Sequence, residues 1–86
     1  MNAQRRKALR AIITKLEELD SLRQEILERL EKVTGEEQQA LDNMPESLQE
    51  SERGQQMQEY IDSMESATTE LEYIDLEGML DQLREI

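Results

Sequence analysis

The stretch DNMPESLQESERG, residues 42–54, interrupts a chain that otherwise consists of strong helix formers, and it decides the fold. Pro45 disfavours helical geometry in the residue before it, so a helix arriving from the N-terminal side should end there. Proline also suits the first turn of a following helical piece, and Ser51 is a plausible N-cap for a later helix. The predicted elements are a helix at 3–43, a turn with a short helical piece at 44–54, and a helix at 52–86.

Upstream of this stretch, apolar residues recur at spacings of three and four, which is typical of a long helix that packs along its length. The predicted stripe is Leu9, Ile12, Leu16, Leu19, Ile26, Leu30, Val33, Ala40 and Met44, widened on one flank by Ile13, Leu22 and Leu27. Arg23 interrupts it, and its guanidinium is expected to reach a carboxylate on the partner helix while its stem lies on apolar surface. We expect the helix to continue through Gly35, because good helix formers follow it.

Downstream, a second apolar stripe is formed by Met57, Tyr60, Ile61, Met64, Ala67, Leu71 and Ile74. Five further apolar residues are rotated by roughly a quarter to a third of a turn from that stripe, and they are Leu76, Met79, Leu80, Leu83 and Ile86. Either the helix bends near 75–78, or its last turns carry a second apolar face. Because such a patch requires cover, we interpret it, together with Glu77 and Asp81, as the candidate partner-binding surface.

Two helices of similar length joined by a proline turn predict an all-α fold, an antiparallel hairpin forming a single domain over 1–86. That arrangement would place the basic start of the chain (Arg5, Arg6, Lys7 and Arg10) beside Glu77, Asp81 and Glu85 near its end. A two-helix hairpin has only one line of core, whereas both helices carry additional apolar residues. We therefore predict that it dimerises as a coiled coil or four-helix bundle.

The composition argues against catalysis. The 86 residues include no cysteine and no histidine, which removes disulfides, thiolate nucleophiles and the commonest general base and metal ligand. Paired carboxylates alone need a walled cleft to become catalytic, and a hairpin offers none. We expect no enzymatic activity, no catalytic residues, no cofactor and no metal. No apolar run approaches the roughly 20 residues that span a bilayer, so a cytoplasmic location and no membrane contact are expected.

The charge of the chain leaves several interpretations open. The formal net charge is −11, and the acidic surface could imitate DNA or simply keep the protein soluble. The basic start could contact nucleic acid, or it could pair with the acidic C-terminal residues. An acidic body repels nucleic acid, so direct nucleic-acid binding is not the favoured hypothesis.

The motif in residues 42–54 resembles the central turn of small acidic helical proteins from bacteriophages and prophages, D-N-hydrophobic-P-E-S-L-Q-x-x-E-R-G. In those proteins a charged helix leads into the turn and an acidic amphipathic helix follows, so the similarity in layout covers the whole chain. The resemblance implies a mobile-element setting, in a bacterial host cytoplasm, rather than a particular activity. The turn is also a second candidate recognition surface, with Asn43, Pro45, Glu46, Ser47 and Arg53 as its residues, although geometry alone explains such residues.

These observations lead to one functional hypothesis and one alternative. The first is a non-enzymatic accessory protein of phage type that binds and modulates a bacterial host protein. Inhibition of a defence or nucleic-acid enzyme is its specific form. The alternative is a structural or scaffolding coiled-coil protein that acts through self-association.

Overall fold

Helices account for 86% of the chain and no strand is present, which confirms the predicted all-α class. The computed structural model describes every residue from Met1 to Ile86. Its elements are α1 (Ala3–Asp42), α2 (Glu46–Gln49), α3 (Glu52–Glu72) and α4 (Leu76–Arg84).

The three longer helices begin at residues whose side chains accept a hydrogen bond from the first turn. The Asn2 side chain accepts from the Arg5 N–H at 2.8 Å. Ser51, the cap predicted from the sequence, accepts from the Gly54 N–H at 3.3 Å. α1 runs without interruption through Gly35, as predicted, and ends at Asp42 just before the proline turn.

The single helix predicted at 52–86 is corrected to two helices, because α3 ends at Glu72 and α4 starts at Leu76. The Asp75 carboxylate accepts the Gly78 N–H at 2.9 Å and so caps the new helix. Of the two alternatives drawn from the sequence, the break near 75–78 is the one that occurs. The break changes the phase of the apolar residues that follow it.

Both α3 and α4 lie against α1. The Arg6 guanidinium donates to the Ile86 carbonyl at 3.3 Å, and Arg84 pairs with Glu17 at 3.3 Å. Further along, Arg23 donates to the Leu71 carbonyl at 3.4 Å. Late residues therefore lie beside early ones, in a molecule that measures 68 × 15 × 14 Å.

The interior is a narrow seam, and only five of the 86 residues are buried: Leu41, Gly54, Ile61, Leu76 and Leu80. Half-buried residues continue the seam on α1 at spacings of four and three, and they are Leu9, Ile13, Leu16, Asp20, Arg23, Leu27, Leu30 and Thr34. On α3 the corresponding residues are Met57, Met64, Thr68 and Leu71. Each helix therefore presents one heptad line to the other.

This seam corrects the predicted stripe on α1. Leu9, Leu16 and Leu30 belong to both, but the alternate positions are Ile13 and Leu27, which the sequence had placed on a flank. The residues predicted to alternate with them are exposed: Ile12 by 53%, Leu19 by 49%, Ile26 by 44% and Val33 by 51%. The polar residues Asp20 and Thr34 occupy seam positions, so the spacing of apolar residues alone does not reveal this heptad frame.

Candidate interaction surfaces

The most distinctive surface is the exposed line of Ile12, Leu19, Ile26 and Val33 along α1. These residues are seven apart, so they stay on one side of the helix. Each of them directly precedes a seam residue in the sequence. They are therefore displaced from the seam by the same rotation in every heptad.

The return helices, α3 and α4, carry a matching line. Tyr60, Ala67 and Met79 are exposed, and each also directly precedes a seam residue. Ile74, in the break between α3 and α4, is exposed as well. The contacts described above join Arg6 to Ile86, Glu17 to Arg84 and Arg23 to Leu71, so residue numbers rise along α1 while they fall along the residues that face it. Equal rotations from the seam therefore fall on the same side of the pair. We call the surface made by these two lines the apolar face: Ile12, Leu19, Ile26, Val33, Tyr60, Ala67, Ile74 and Met79.

The other side of the pair is polar. A shallow open groove between α1 and α3 is lined there by Glu31, Thr34, Gly35, Gln38, Glu65, Thr68, Thr69 and Glu72, with no apolar side chain. We call Glu31, Glu65 and Glu72 the acidic face. The molecule is thus amphipathic as a whole, because one side of the helix pair is apolar and the other is acidic.

The structure buries part of the predicted partner-binding patch and leaves the rest exposed. Leu76 and Leu80 are only 4% and 3% exposed, because the break before α4 turns them towards α1. Leu83 is half-buried, while Met79 and Ile86 remain exposed, as do the acids Glu77 and Asp81. The cover that the leucines require is therefore supplied mainly within the chain, and only Met79 contributes to the apolar face.

The turn residues serve the geometry of the chain reversal. The Asn43 N–H donates to the Gln39 carbonyl at 3.0 Å and closes α1, and Pro45 precedes α2. The Gln49 amide, which the sequence did not single out, holds the turn by donating to the Met44 carbonyl at 2.8 Å. The other three turn residues proposed for recognition, Glu46, Ser47 and Arg53, are exposed at this end of the molecule.

The basic start does not pair as predicted with Glu77, Asp81 and Glu85. Arg5, Lys7 and Arg10 form no ion pair within 4.0 Å, and Arg6 binds a backbone carbonyl instead. Arg84 joins α4 to α1 through Glu17 at 3.3 Å, and it also lies 3.6 Å from Asp81 of its own helix. Most of the N-terminal positive charge therefore remains free.

Arg23 is the one basic residue within the seam. Its guanidinium lies 3.1 Å from the Asp20 carboxylate, and the two side chains are only 17% and 13% exposed. The expected carboxylate on the facing helix is corrected: the acid belongs to α1 itself, and the facing atom is the Leu71 carbonyl. A cation there satisfies a carbonyl in the last turn of α3 and suits the negative end of the helix dipole.

No group of three or more acidic residues is placed to hold a metal ion. Every buried side-chain nitrogen or oxygen has a hydrogen-bond partner. None of the helices combines the length and apolar character needed to cross a membrane. In comparisons with known proteins, the chain matches no protein-family model, no curated protein and no solved structure.

Proposed function

We propose that this chain is a non-enzymatic protein-binding module: an antiparallel helical hairpin that joins a second copy through the apolar face to form a four-helix bundle. The observation that carries the proposal is the apolar face itself. Two lines of large apolar side chains, one on α1 and one on the return helices, lie on the same side and are left uncovered. Contiguous apolar surfaces of this kind mark interaction sites.

The surface area supports association. A compact monomer of 10.1 kDa exposes about 5,300 Å², whereas this chain exposes 6832 Å². The excess is larger than the roughly 800 Å² that each partner contributes to a standard interface. A chain of this size with so few buried residues would be marginally stable alone, and burying the apolar face would add the missing core.

The shape of the face favours a second copy as the occupant. Its line on α1 runs from Ile12 to Val33, and each end lies nine residues from the corresponding end of α1, at Ala3 and Asp42. The line is therefore centred on the helix. A second copy offers a line of equal length and spacing, so the two can cover each other along their whole extent.

Disrupting the face should yield a folded monomer. We expect the wild-type chain to sediment with about twice its mass of 10.1 kDa and the double variant Leu19→Glu/Ile26→Glu to sediment as a monomer. The substituted side chains are already half-exposed in one chain, so the helical circular dichroism of the variant should persist at concentrations where the monomer is stable. Sedimentation equilibrium over a range of concentrations measures both masses.

The matched control is Ser21→Glu/Thr69→Glu, which adds the same two charges on the opposite side of the pair, where both residues are exposed. It should remain a dimer. A wild-type protein that stays monomeric at every concentration, or a face variant that still dimerises, would contradict the proposal.

The acidic face favours a second candidate function, in which the outer surface of the hairpin binds a basic site on another protein. With a net charge of −11, this surface would be attracted to a basic groove, and DNA mimicry is its specific form. The resemblance of the turn to phage and prophage proteins makes a bacterial host protein, such as a defence or nucleic-acid enzyme, the proposed target. Modulation of that protein, in the host cytoplasm, would be the biological role.

This second function predicts one salt-sensitive partner. Tagged protein should capture a single host protein from bacterial lysate in near-stoichiometric amount, and Glu31→Gln/Glu65→Gln/Glu72→Gln should lose it, because the acidic face carries the attraction. Raising the salt concentration should weaken capture, because salt screens the attraction between exposed charges. The screening length is already about 8 Å at physiological ionic strength and becomes shorter as salt is added. The Leu19→Glu/Ile26→Glu variant is the control for the apolar face. Capture that is unaffected by the triple substitution would rule out the acidic face.

A further inference from the structure

The two ends of the molecule carry opposite charge. The first 15 residues contain five basic residues and no acid: Arg5, Arg6, Lys7, Arg10 and Lys15. Residues 36–59, which include the turn, contain seven acids and one base: Glu36, Glu37, Asp42, Glu46, Glu50, Glu52, Glu59 and Arg53. The contact between Arg6 and Ile86 places the basic segment at the end where the termini meet. The same end also holds Asp75, Glu77, Asp81, Glu85 and Arg84, so residues 1–15 and 75–86 together carry a formal charge of +2, against −6 for residues 36–59. The acidic segment occupies the other end.

Most of these charges are not neutralised within the chain. Arg5, Lys7 and Arg10 form no ion pair, and neither do any of the seven acids around the turn. α1 alone, with its 40 residues, is about 60 Å long. The ends are therefore separated by many times the ~8 Å over which exposed charges act at physiological ionic strength. Each end responds only to charges placed directly beside it.

We propose that the second copy lies on the apolar face in the reversed direction, so that the acidic turn of each copy lies beside the basic start of the other. This inference rests on the proposed self-association and specifies its geometry. In the opposite arrangement, with the turns together, the two basic ends would repel each other and so would the two acidic ends. Reversal replaces both repulsions with attractions.

Reversal retains the apolar contact. Because the line on α1 is centred on the helix, turning the second copy end for end sets Ile12 opposite Val33 and Leu19 opposite Ile26. The apolar face therefore accepts both directions equally well, and the charged ends select one of them.

Fluorescence energy transfer tests this direction, since the chain has no natural cysteine. Three exposed sites are labelled through single substitutions: Gln4→Cys at the basic end, Gln24→Cys near the middle of α1, and Ser47→Cys in the turn. Donor-labelled and acceptor-labelled chains are mixed and allowed to exchange. Low transfer is expected between two Ser47→Cys chains, and high transfer both between Gln4→Cys and Ser47→Cys chains and between two Gln24→Cys chains.

The three pairings separate the possible failures. High transfer between two Ser47→Cys chains, with low transfer between Gln4→Cys and Ser47→Cys chains, would overturn the reversed direction while leaving self-association intact. Low transfer in all three pairings would overturn self-association itself. In the variant Arg5→Glu/Lys7→Glu/Arg10→Glu, transfer between the basic end and the turn should fall. If it did not, charge would not be what selects the direction.

Discussion

Leu80→Ala is expected to lower the free energy of unfolding by about 2–5 kcal/mol, the usual range for removing a buried leucine side chain. Leu80 is 3% exposed and belongs to the small set of buried residues that join α4 to α1. Small domains have only 5–15 kcal/mol of stability in total, so this loss is a large fraction of the whole. Chemical denaturation followed by circular dichroism measures it.

The matched control is Leu48→Ala, the same substitution at a leucine of α2 that is 49% exposed and outside the apolar face. It should change the denaturation midpoint much less. The comparison also tests the placement of α4. A leucine on a partner-binding patch would affect association and leave folding alone, so equal midpoints for the two variants would contradict the burial of Leu80.

Gly54→Ala should destabilise the chain by about 1–3 kcal/mol, the cost of forcing extra volume into a packed site. A Cβ at Gly54 would collide with the backbone carbonyls of Gln49 and Leu48, and those atoms belong to the turn that positions α3. The helix propensity gained by alanine, about 1 kcal/mol, is too small to offset the collision. The expected result is a lower melting temperature.

Gly35→Ala provides the control, because nothing lies within 4 Å of a Cβ at that position. There the same gain in helix propensity is unopposed, so alanine should raise stability by up to about 1 kcal/mol. Thermal melts should therefore shift in opposite directions for the two variants. A rise for both would show that the turn can move away from the added methyl group.

The seam tolerates polar residues because they satisfy one another. Asp20 and Arg23 occupy successive seam positions, and their pairing, together with the Leu71 carbonyl, leaves neither charge without a partner. In a search for apolar periodicity, the charged Asp20 argues against a core at its position. In the structure, Asp20 faces α3 within the seam, because Arg23 lies beside it and pairs with its charge.

The sequence by itself determined the features that depend on neighbouring residues. The strong helix formers predicted the helical class, Pro45 located the chain reversal, and Ser51 was identified as a cap, because each acts on backbone geometry within a turn of its own position. The continuity of α1 through Gly35 follows in the same way, since one glycine costs less than the surrounding helix gains.

Only the tertiary structure decided which line of α1 faces inward. Two heptad frames share Leu9, Leu16 and Leu30 and differ in the positions that alternate with them. Both sets of alternating positions contain apolar residues, so hydrophobicity alone could not choose between the frames. The choice depends on where α3 lies and on the break that precedes α4, which redirects Leu76 and Leu80 onto α1. Those are contacts between residues far apart in the chain. For that reason Ile12, Leu19, Ile26 and Val33, which the sequence placed in the core, lie on the apolar face.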